Sequence, residues 1–202
     1  MAQTDSGTDR NISLVAGWNL IGYTGNDSFA LDNALFTNSS GSQMTLSNAV
    51  ANNKLQAYMP YYDSSSAIAS QRKYKYAAES DLEMDDSSLR TGRGYWVYAN
   101  QAGNLTLPGV GGTIAGQSYA RSKLRLSNGT SELTFDQAGS AGWIDSNVIY
   151  YWDGSAVTYR YVCEKTGDLS LDPENCLTTS LDSSQGYFIK SNIDNLTLIR
   201  QN

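Results

Sequence analysis

The sequence predicts a mainly β protein: two related antiparallel β-sheet units, sandwich- or barrel-like, with one or two short helices. Three observations carry this prediction. Aromatic and β-branched residues alternate with polar ones in short runs such as Gly94–Tyr98, a pattern typical of strands. Turn signals such as Asn128-Gly129 separate the runs. Similar motifs also recur about 90 residues apart, which indicates an internal duplication.

The 202 residues are enough for two domains of about 100 residues each. Residues 1–11 have no apolar periodicity and predict a flexible N-terminal arm. The first β unit is then expected over 12–108. The glycine-dense stretch 109–118 predicts a linker, and the second β unit follows over 119–202.

The first half of unit 1 combines strand and helix patterns. Ile12–Val15 and Trp18–Tyr23 predict two strands, and we expect Trp18 to pack in the core. The segments Phe29–Phe36 and Leu46–Asn53 space their apolar residues by three and four, which predicts short helices that cap the sheet.

The second half of unit 1 predicts strands alone. Leu55–Tyr62 and Tyr74–Ala78 form one expected strand pair. Gly94–Tyr98 and Gly103–Leu107, separated by a short polar turn, predict a β-hairpin.

Unit 2 has three predicted hairpins. Each consists of two alternating runs around a turn: Lys123–Ser127 with Ser131–Phe135, Val148–Trp152 with Val157–Val162, and Gly186–Lys190 with Asp194–Leu198.

The duplication rests on motifs that keep nearly the same spacing. The matched pairs are Tyr61–Asp63 with Tyr151–Asp153, Tyr74–Tyr76 with Tyr159–Tyr161, Gly94–Tyr98 with Gly186–Lys190, and Leu105–Leu107 with Leu196–Leu198. The front of unit 2 has no counterpart of Gly17–Gly22, so this unit is expected to be truncated or remodelled there.

Three of these motifs resemble those of a known class of module. Ala16–Gly22, Tyr151–Ala156 and Gly94–Asn100 are similar to segments of the β-rich, often repeated modules in large secreted and cell-surface proteins of bacteria and archaea. Some phage tail or virion adhesins carry similar modules. The resemblance implies an extracellular location and a non-catalytic structural or adhesive role. These are scaffold motifs, so the resemblance assigns no binding residue.

Composition excludes some partners. Charged residues make up 17% of the chain, below the roughly 25% of average soluble proteins. The net charge of −6 argues against nucleic-acid binding, which needs clustered Lys and Arg. No apolar run approaches the roughly 20 residues of a membrane span, so we expect no membrane insertion.

The two cysteines, Cys163 and Cys176, bracket a short loop. A disulfide between them would stabilise the fold by about 3 kcal/mol in the chain-entropy model. Two buried free thiols are the alternative. With no histidine and two cysteines, a four-ligand zinc site of the usual type is excluded.

Catalytic signals are sparse. The absence of histidine excludes Ser-His-Asp and Cys-His arrangements, and we expect no enzyme. A carboxylate pair for glycoside hydrolysis is the remaining catalytic hypothesis; its candidates are Asp63, Glu79, Asp153 and Glu164.

No cofactor is expected except calcium. Alternating acids in a loop can converge on a hard cation that prefers six to eight oxygen ligands. The candidates fall in two equivalent loops, Asp81, Glu83, Asp85 and Asp86 in unit 1 and Asp168, Asp172 and Glu174 in unit 2. Neither loop has EF-hand spacing, and a solvated acidic loop is the alternative.

Aromatic strands are the other candidate site. Rings that share an exposed strand face can stack on sugars or form a protein-binding patch, although cross-strand aromatic packing explains the same pattern. The candidate ligand-binding residues are Tyr74, Tyr76, Tyr150, Trp152, Tyr159 and Tyr161.

The sequence therefore favours an extracellular structural or adhesive β module that binds a surface glycan or a protein through a broad aromatic and loop surface. The alternative is a self-assembling subunit of a filament, sheath, virion or tail fibre. In that case the arm Met1–Asn11 or an unpaired edge strand would join a neighbouring copy by strand addition.

Overall fold

The computed structural model describes residues 9–23, 28–63, 73–90, 93–108, 118–145, 148–163, 175–182, 185–193 and 196–200. It confirms a mainly β fold with several antiparallel sheets and two short helices. The chain forms two compact units. Unit 1 comprises Met1–Gln117 with Gly154–Val157 and Ser183–Gly186, and unit 2 comprises Ser118–Asp153, Thr158–Asp182 and Tyr187–Asn202.

Unit 1 contains ten strands and one α-helix among its described residues. They are β1 (Arg10–Leu14), β2 (Gly17–Gly22), β3 (Ser28–Ala30), β4 (Leu35–Asn38), β5 (Gln43–Thr45), α1 (Leu46–Ala51), β6 (Met59–Asp63), β7 (Lys73–Ala77), β8 (Ser88–Arg90), β9 (Gly94–Ala99) and β10 (Gly103–Leu107). Two four-stranded sheets, in the orders β1-β10-β4-β5 and β2-β9-β6-β7, and the β3-β8 pair make up the unit.

The core of unit 1 is shared by its two large sheets. Phe36 and Leu105 from the first sheet and Tyr95 and Val97 from the second are completely buried in one hydrophobic cluster. Strand β9 alternates half-buried and buried residues along its length, as a strand with one core-facing side must. The unit is therefore sandwich-like.

The hairpin predicted over 94–107 is wrong. Strand β9 pairs with β2 and β6, whereas β10 pairs with β1 and β4, so the two segments lie in different sheets. The same holds for the predicted closing hairpin of unit 2, whose two segments also join different sheets. Both edges of β9 are already occupied, and the short polar connection carries the chain from one sheet to the other instead of folding it back.

One of the two predicted helices is confirmed. Thr45 caps α1, because its side chain accepts a hydrogen bond from the Asn48 N–H at 3.3 Å. The other helix, predicted over Phe29–Phe36, is wrong. That segment forms β3, a single 3₁₀ turn and β4, and the buried Phe29 and Phe36 pack as strand residues.

The corner between β1 and β2 explains the Gly17-Trp18-Asn19 motif. Gly17 has φ of +100°, which favours glycine. The buried Asn19 amide accepts a hydrogen bond from the Val15 N–H and donates to the Val15 and Gly17 carbonyls, at 2.9 to 3.0 Å. Its polar atoms replace the backbone pairing that the corner interrupts.

Unit 2 contains nine strands and one α-helix among its described residues. They are β11 (Ser118–Ala120), β12 (Leu124–Ser127), β13 (Glu132–Leu133), α2 (Phe135–Ser140), β14 (Ile149–Asp153), β15 (Thr158–Val162), β16 (Cys176–Thr178), β17 (Ser180–Asp182), β18 (Tyr187–Phe188) and β19 (Thr197–Arg200). The sheet orders are β13-β12-β19 and β16-β15-β14-β18, with a separate β11-β17 pair. The predicted hairpins β12-β13 and β14-β15 are confirmed.

Unit 2 repeats the pairing scheme of unit 1. The β12-β13 and β12-β19 pairs correspond to β4-β5 and β4-β10, and β14 lies between β15 and β18 as β6 lies between β7 and β9. Details recur as well. The Tyr95 hydroxyl accepts a hydrogen bond from the Arg90 N–H, and the Tyr187 hydroxyl accepts one from the Asp182 N–H. This agreement supports the duplication.

The units differ at one sheet edge and agree at the other. Within the described part of unit 2, no strand occupies the positions of β1 and β2. At the opposite edge, β16 pairs with β15 in parallel, as Asp86 bridges to Ala77 in parallel in unit 1. The predicted disulfide between Cys163 and Cys176 is present at this edge of unit 2.

The structure shifts the predicted boundaries of the N-terminal arm and of the linker. Arg10 and Asn11, assigned to the flexible arm, belong to β1, where Arg10 pairs with Leu107. Residues 1–8 and residues 109–117 of the predicted linker lie outside the described residues, while Ser118 begins β11.

Candidate ligand-binding face

One face of the β2-β9-β6-β7 sheet carries several groups of aromatic rings. The opposite face points into the core through Ile21, Tyr61 and Tyr95. Because successive strand residues point to opposite sides, their neighbours point away from the core. This outer aromatic face consists of Trp18, Tyr58, Tyr62, Tyr74, Tyr76, Trp96 and Tyr98.

The strand register places these rings side by side. Trp18 lies opposite Tyr98, and Tyr62 lies opposite Tyr74. Their ring centroids are 5.0 and 5.5 Å apart, with interplanar angles of 76° and 70°. Such edge-to-face pairs stabilise the sheet and hold the rings in fixed orientations.

A large part of this face is open to solvent. Trp18 is 40% exposed, Tyr62 47% and Tyr74 54%, whereas Tyr95 on the inner side is completely buried. The face crosses four strands, or about 14 Å between the outermost two. That width is enough for a ligand of several ring-sized groups.

Unit 2 carries a smaller counterpart. Tyr150 packs against Tyr161 at 5.1 Å, and Trp152 packs against Tyr159 at the same distance. Tyr159 is 45% exposed, but Tyr150, Trp152 and Tyr161 are half-buried. The more accessible aromatic surface is therefore that of unit 1.

The six predicted ligand-binding residues thus fall into two groups. Tyr74 and Tyr76 belong to the outer aromatic face of unit 1, and the other four belong to the counterpart in unit 2. Sequence reasoning missed the remaining rings of the outer aromatic face, Trp18, Tyr58, Tyr62, Trp96 and Tyr98. The core position predicted for Trp18 is wrong, because Asn19 and Ile21 occupy the inner side of β2.

An ion-pair network lies at the end of β6, on the inner side of the sheet. Asp63 is buried and pairs with Lys75, and the Arg93 guanidinium lies 4.9 Å from the centre of the Tyr61 ring. Arg93 also contacts Asp63 and Asp86 at 3.9 and 3.7 Å. The hydrogen bond to Asp63 raises the pKa of Lys75. These charged groups lie at the edge of the unit 1 core, around Asp63 and Tyr61.

The carboxylates proposed for glycoside hydrolysis have structural contacts where they are described. Asp63 pairs with Lys75, Asp153 pairs with Arg160 at 2.7 Å, and Glu79 accepts a hydrogen bond from the Ser47 hydroxyl at 2.8 Å. Glu164 lies outside the described residues. The hydrolase hypothesis therefore gains no geometric support.

The calcium candidates are engaged in a similar way. Asp86 pairs with Arg90 and Arg93, and Asp85 accepts a hydrogen bond from the Tyr76 N–H at 2.9 Å. No three acidic or other metal-ligating side chains converge within the described segments. Asp168, Asp172 and Glu174 lie outside them, so calcium binding stays a prediction.

Tyr95 and Tyr187 occupy the same position in their units, where Tyr95 is completely buried and Tyr187 is half-buried against the core. Desolvation by burial raises the pKa of Tyr95, and the same effect raises the pKa of Tyr187. Each phenol therefore stays protonated at neutral pH and accepts its backbone hydrogen bond. These hydroxyls have a structural role.

No family model, curated protein or solved structure matches the chain. Among the residues that the structure describes, no helix is long and apolar enough to span a membrane.

Proposed function

We propose that this chain is a non-catalytic, extracellular adhesive β module that binds a glycan through the outer aromatic face of unit 1. The observation that carries the proposal is the exposure of Trp18, Tyr62 and Tyr74 on one face of a single four-stranded sheet. Contiguous exposed apolar surface often marks a binding site. Aromatic rings offer large apolar faces with polar rims, which complement the apolar faces and hydroxyl edges of sugars.

The disulfide supports the extracellular part of the proposal. Cys163 and Cys176 are joined, and disulfides persist in oxidising compartments. Low charge and high Ser, Thr, Asn and Tyr content also fit a secreted surface.

A glycan array tests the proposal. We expect the wild-type chain to bind a restricted set of glycans. Trp18→Ala and Tyr62→Ala should each reduce affinity about tenfold, since the loss of a stacking ring in a binding face costs on the order of 1.4 kcal/mol. Tyr159→Ala is the matched control, because it removes an equally exposed tyrosine from unit 2.

Circular dichroism must show that each variant remains folded. Absence of glycan binding by the wild type, or equal loss in the Tyr159→Ala control, would contradict the proposal.

Strand addition between copies is a second candidate function, favoured by one observation. Strand β10 lies between β1 and β4, but its counterpart β19 pairs with β12 alone among the described strands. Leu198 of β19 is 42% exposed, whereas Leu107 of β10 is completely buried. An edge strand with one unpaired side and an exposed apolar residue can pair with another chain.

The N-terminal arm is the other segment predicted to join a neighbouring copy. Two of its residues are not available for this role, because Arg10 and Asn11 already pair within unit 1. A strictly monomeric chain at high concentration in size-exclusion chromatography would argue against assembly.

A further inference from the structure

A cleft of about 450 Å³ lies at the β7 edge of the outer aromatic face. Its lining residues are Tyr58, Tyr76, Glu83, Met84 and Asp85. Strand β7 is the last strand of its sheet, and the segment before β8 runs along its free edge, where Asp86 bridges to Ala77 in parallel. The volume falls within the range of small-molecule sites.

The acidic wall of the cleft is held in place by the backbone. The Asp85 N–H donates to the Tyr76 carbonyl at 3.0 Å, and the Tyr76 N–H donates to Asp85 Oδ2 at 2.9 Å. This reciprocal pair fixes the Asp85 carboxylate at the Tyr76 backbone, and both residues line the cleft. The Glu83 side chain lies on the same segment and is exposed.

The aromatic wall is a corner formed by two rings. Tyr58 and Tyr76 have centroids 6.1 Å apart and an interplanar angle of 78°. Two nearly perpendicular rings can present electron-rich faces to one guest, and a cation within about 6 Å of such faces is attracted by the ring quadrupoles. Met84 adds a polarizable apolar contact.

We propose that this cleft binds an organic ammonium group that is methylated or quaternary. Aromatic faces, a thioether and two carboxylates together complement a cation that is large, weakly hydrated and apolar at its surface. A hard metal ion would instead need six to eight oxygens, which this lining does not supply. None of the five lining residues is basic, and Lys75, the cation that interacts with Asp85, is already paired with Asp63. The cleft shares Tyr58 and Tyr76 with the outer aromatic face, but its proposed ligand is a cation, so this proposal does not depend on glycan binding.

Titration with tetramethylammonium chloride, followed by amide NMR of the full chain at low ionic strength, tests the proposal. We expect shifts at residues 58, 76 and 83–85, with a dissociation constant on the order of 10 mM for so open a site. Ammonium chloride should bind at least about fivefold more weakly, because its smaller ion is more strongly hydrated. Choline and 3,3-dimethylbutan-1-ol form a matched pair, because a neutral carbon in the second compound replaces the charged nitrogen of the first. The neutral compound should bind at least about fivefold more weakly than choline.

Variants locate the site. Glu83→Gln removes one exposed charge and should weaken tetramethylammonium binding about threefold, and Tyr58→Leu should weaken it by at least as much. Glu132→Gln, an exposed acid of unit 2, is the control and should leave binding unchanged. Trp18→Ala should also leave it unchanged, which separates this site from glycan binding. Equal binding of the neutral analogue, or unchanged binding in both cleft variants, would overturn the proposal.

Discussion

Replacement of Tyr95 by alanine should destabilise unit 1 by about 3–5 kcal/mol, the cost of removing a large buried aromatic side chain. Tyr95 is completely buried, and its ring packs against Tyr61 with centroids 5.3 Å apart. Its hydroxyl also accepts the Arg90 N–H at 2.7 Å. The substitution therefore opens a cavity and leaves a backbone donor without its partner. Urea unfolding monitored by tryptophan fluorescence measures the change.

Tyr98→Ala is the matched control for this prediction. Tyr98 lies on the same strand but points to the outer side, where it contacts Trp18 and stays half-buried. We expect it to cost about 1 kcal/mol, in line with a cross-strand aromatic pair. Equal effects of the two substitutions would contradict the assignment of the inner and outer faces of β9.

Reduction of the disulfide should lower the stability of unit 2 by about 3 kcal/mol, because the Cys163–Cys176 bond closes a short loop in the unfolded chain. The bond also ties the end of β15 to β16, which pair in parallel. Thermal unfolding with and without a phosphine reductant measures the difference. The chain has no other cysteine, so the reductant has no second target.

The double variant Cys163→Ala with Cys176→Ala is the control for the reductant. It should unfold at the lower temperature whether or not reductant is present. An unchanged melting curve after complete reduction, verified by mass after alkylation, would show that the disulfide does not stabilise the unit.

Local sequence signals predicted the local parts of this fold. Asn128-Gly129 and Asp153-Gly154 each lie between two alternating runs, and the hairpins β12-β13 and β14-β15 form there. Helix α2 was missed because it is short, although Thr134 and Gln137 form a capping box that could have revealed it.

Long-range pairing was less accessible. The same alternating pattern and short polar turn suit either a hairpin or a crossing between two sheets. Whether a hairpin or a crossing forms depends on which strands pair with each of the two segments. Strand β9 pairs with β2, which begins at Gly17, far from β9 in the sequence. No local feature of residues 94–107 encodes that partner.

Only part of the candidate site could be predicted from the sequence, and the reason is similar. Alternation shows that Trp18 and Ile21 point to opposite sides of β2, but it does not show which side is the core. Both sides carry apolar residues. The core side is the one that carries Asn19 and Ile21. On that side, the Asn19 amide forms hydrogen bonds with the Val15 and Gly17 backbone groups. Trp18 is left on the open side, and this placement assembles the outer aromatic face.

The central claim is that the rings of this face bind a ligand as well as pack the sheet. The most direct measurement is NMR titration of the four tryptophan indole N–H signals with a glycan selected from the array. We expect the Trp18 and Trp96 signals to shift in a saturable manner while the Trp143 signal stays fixed. Movement of Trp143 alone, or no movement of Trp18 and Trp96 at saturating glycan, would contradict the claim.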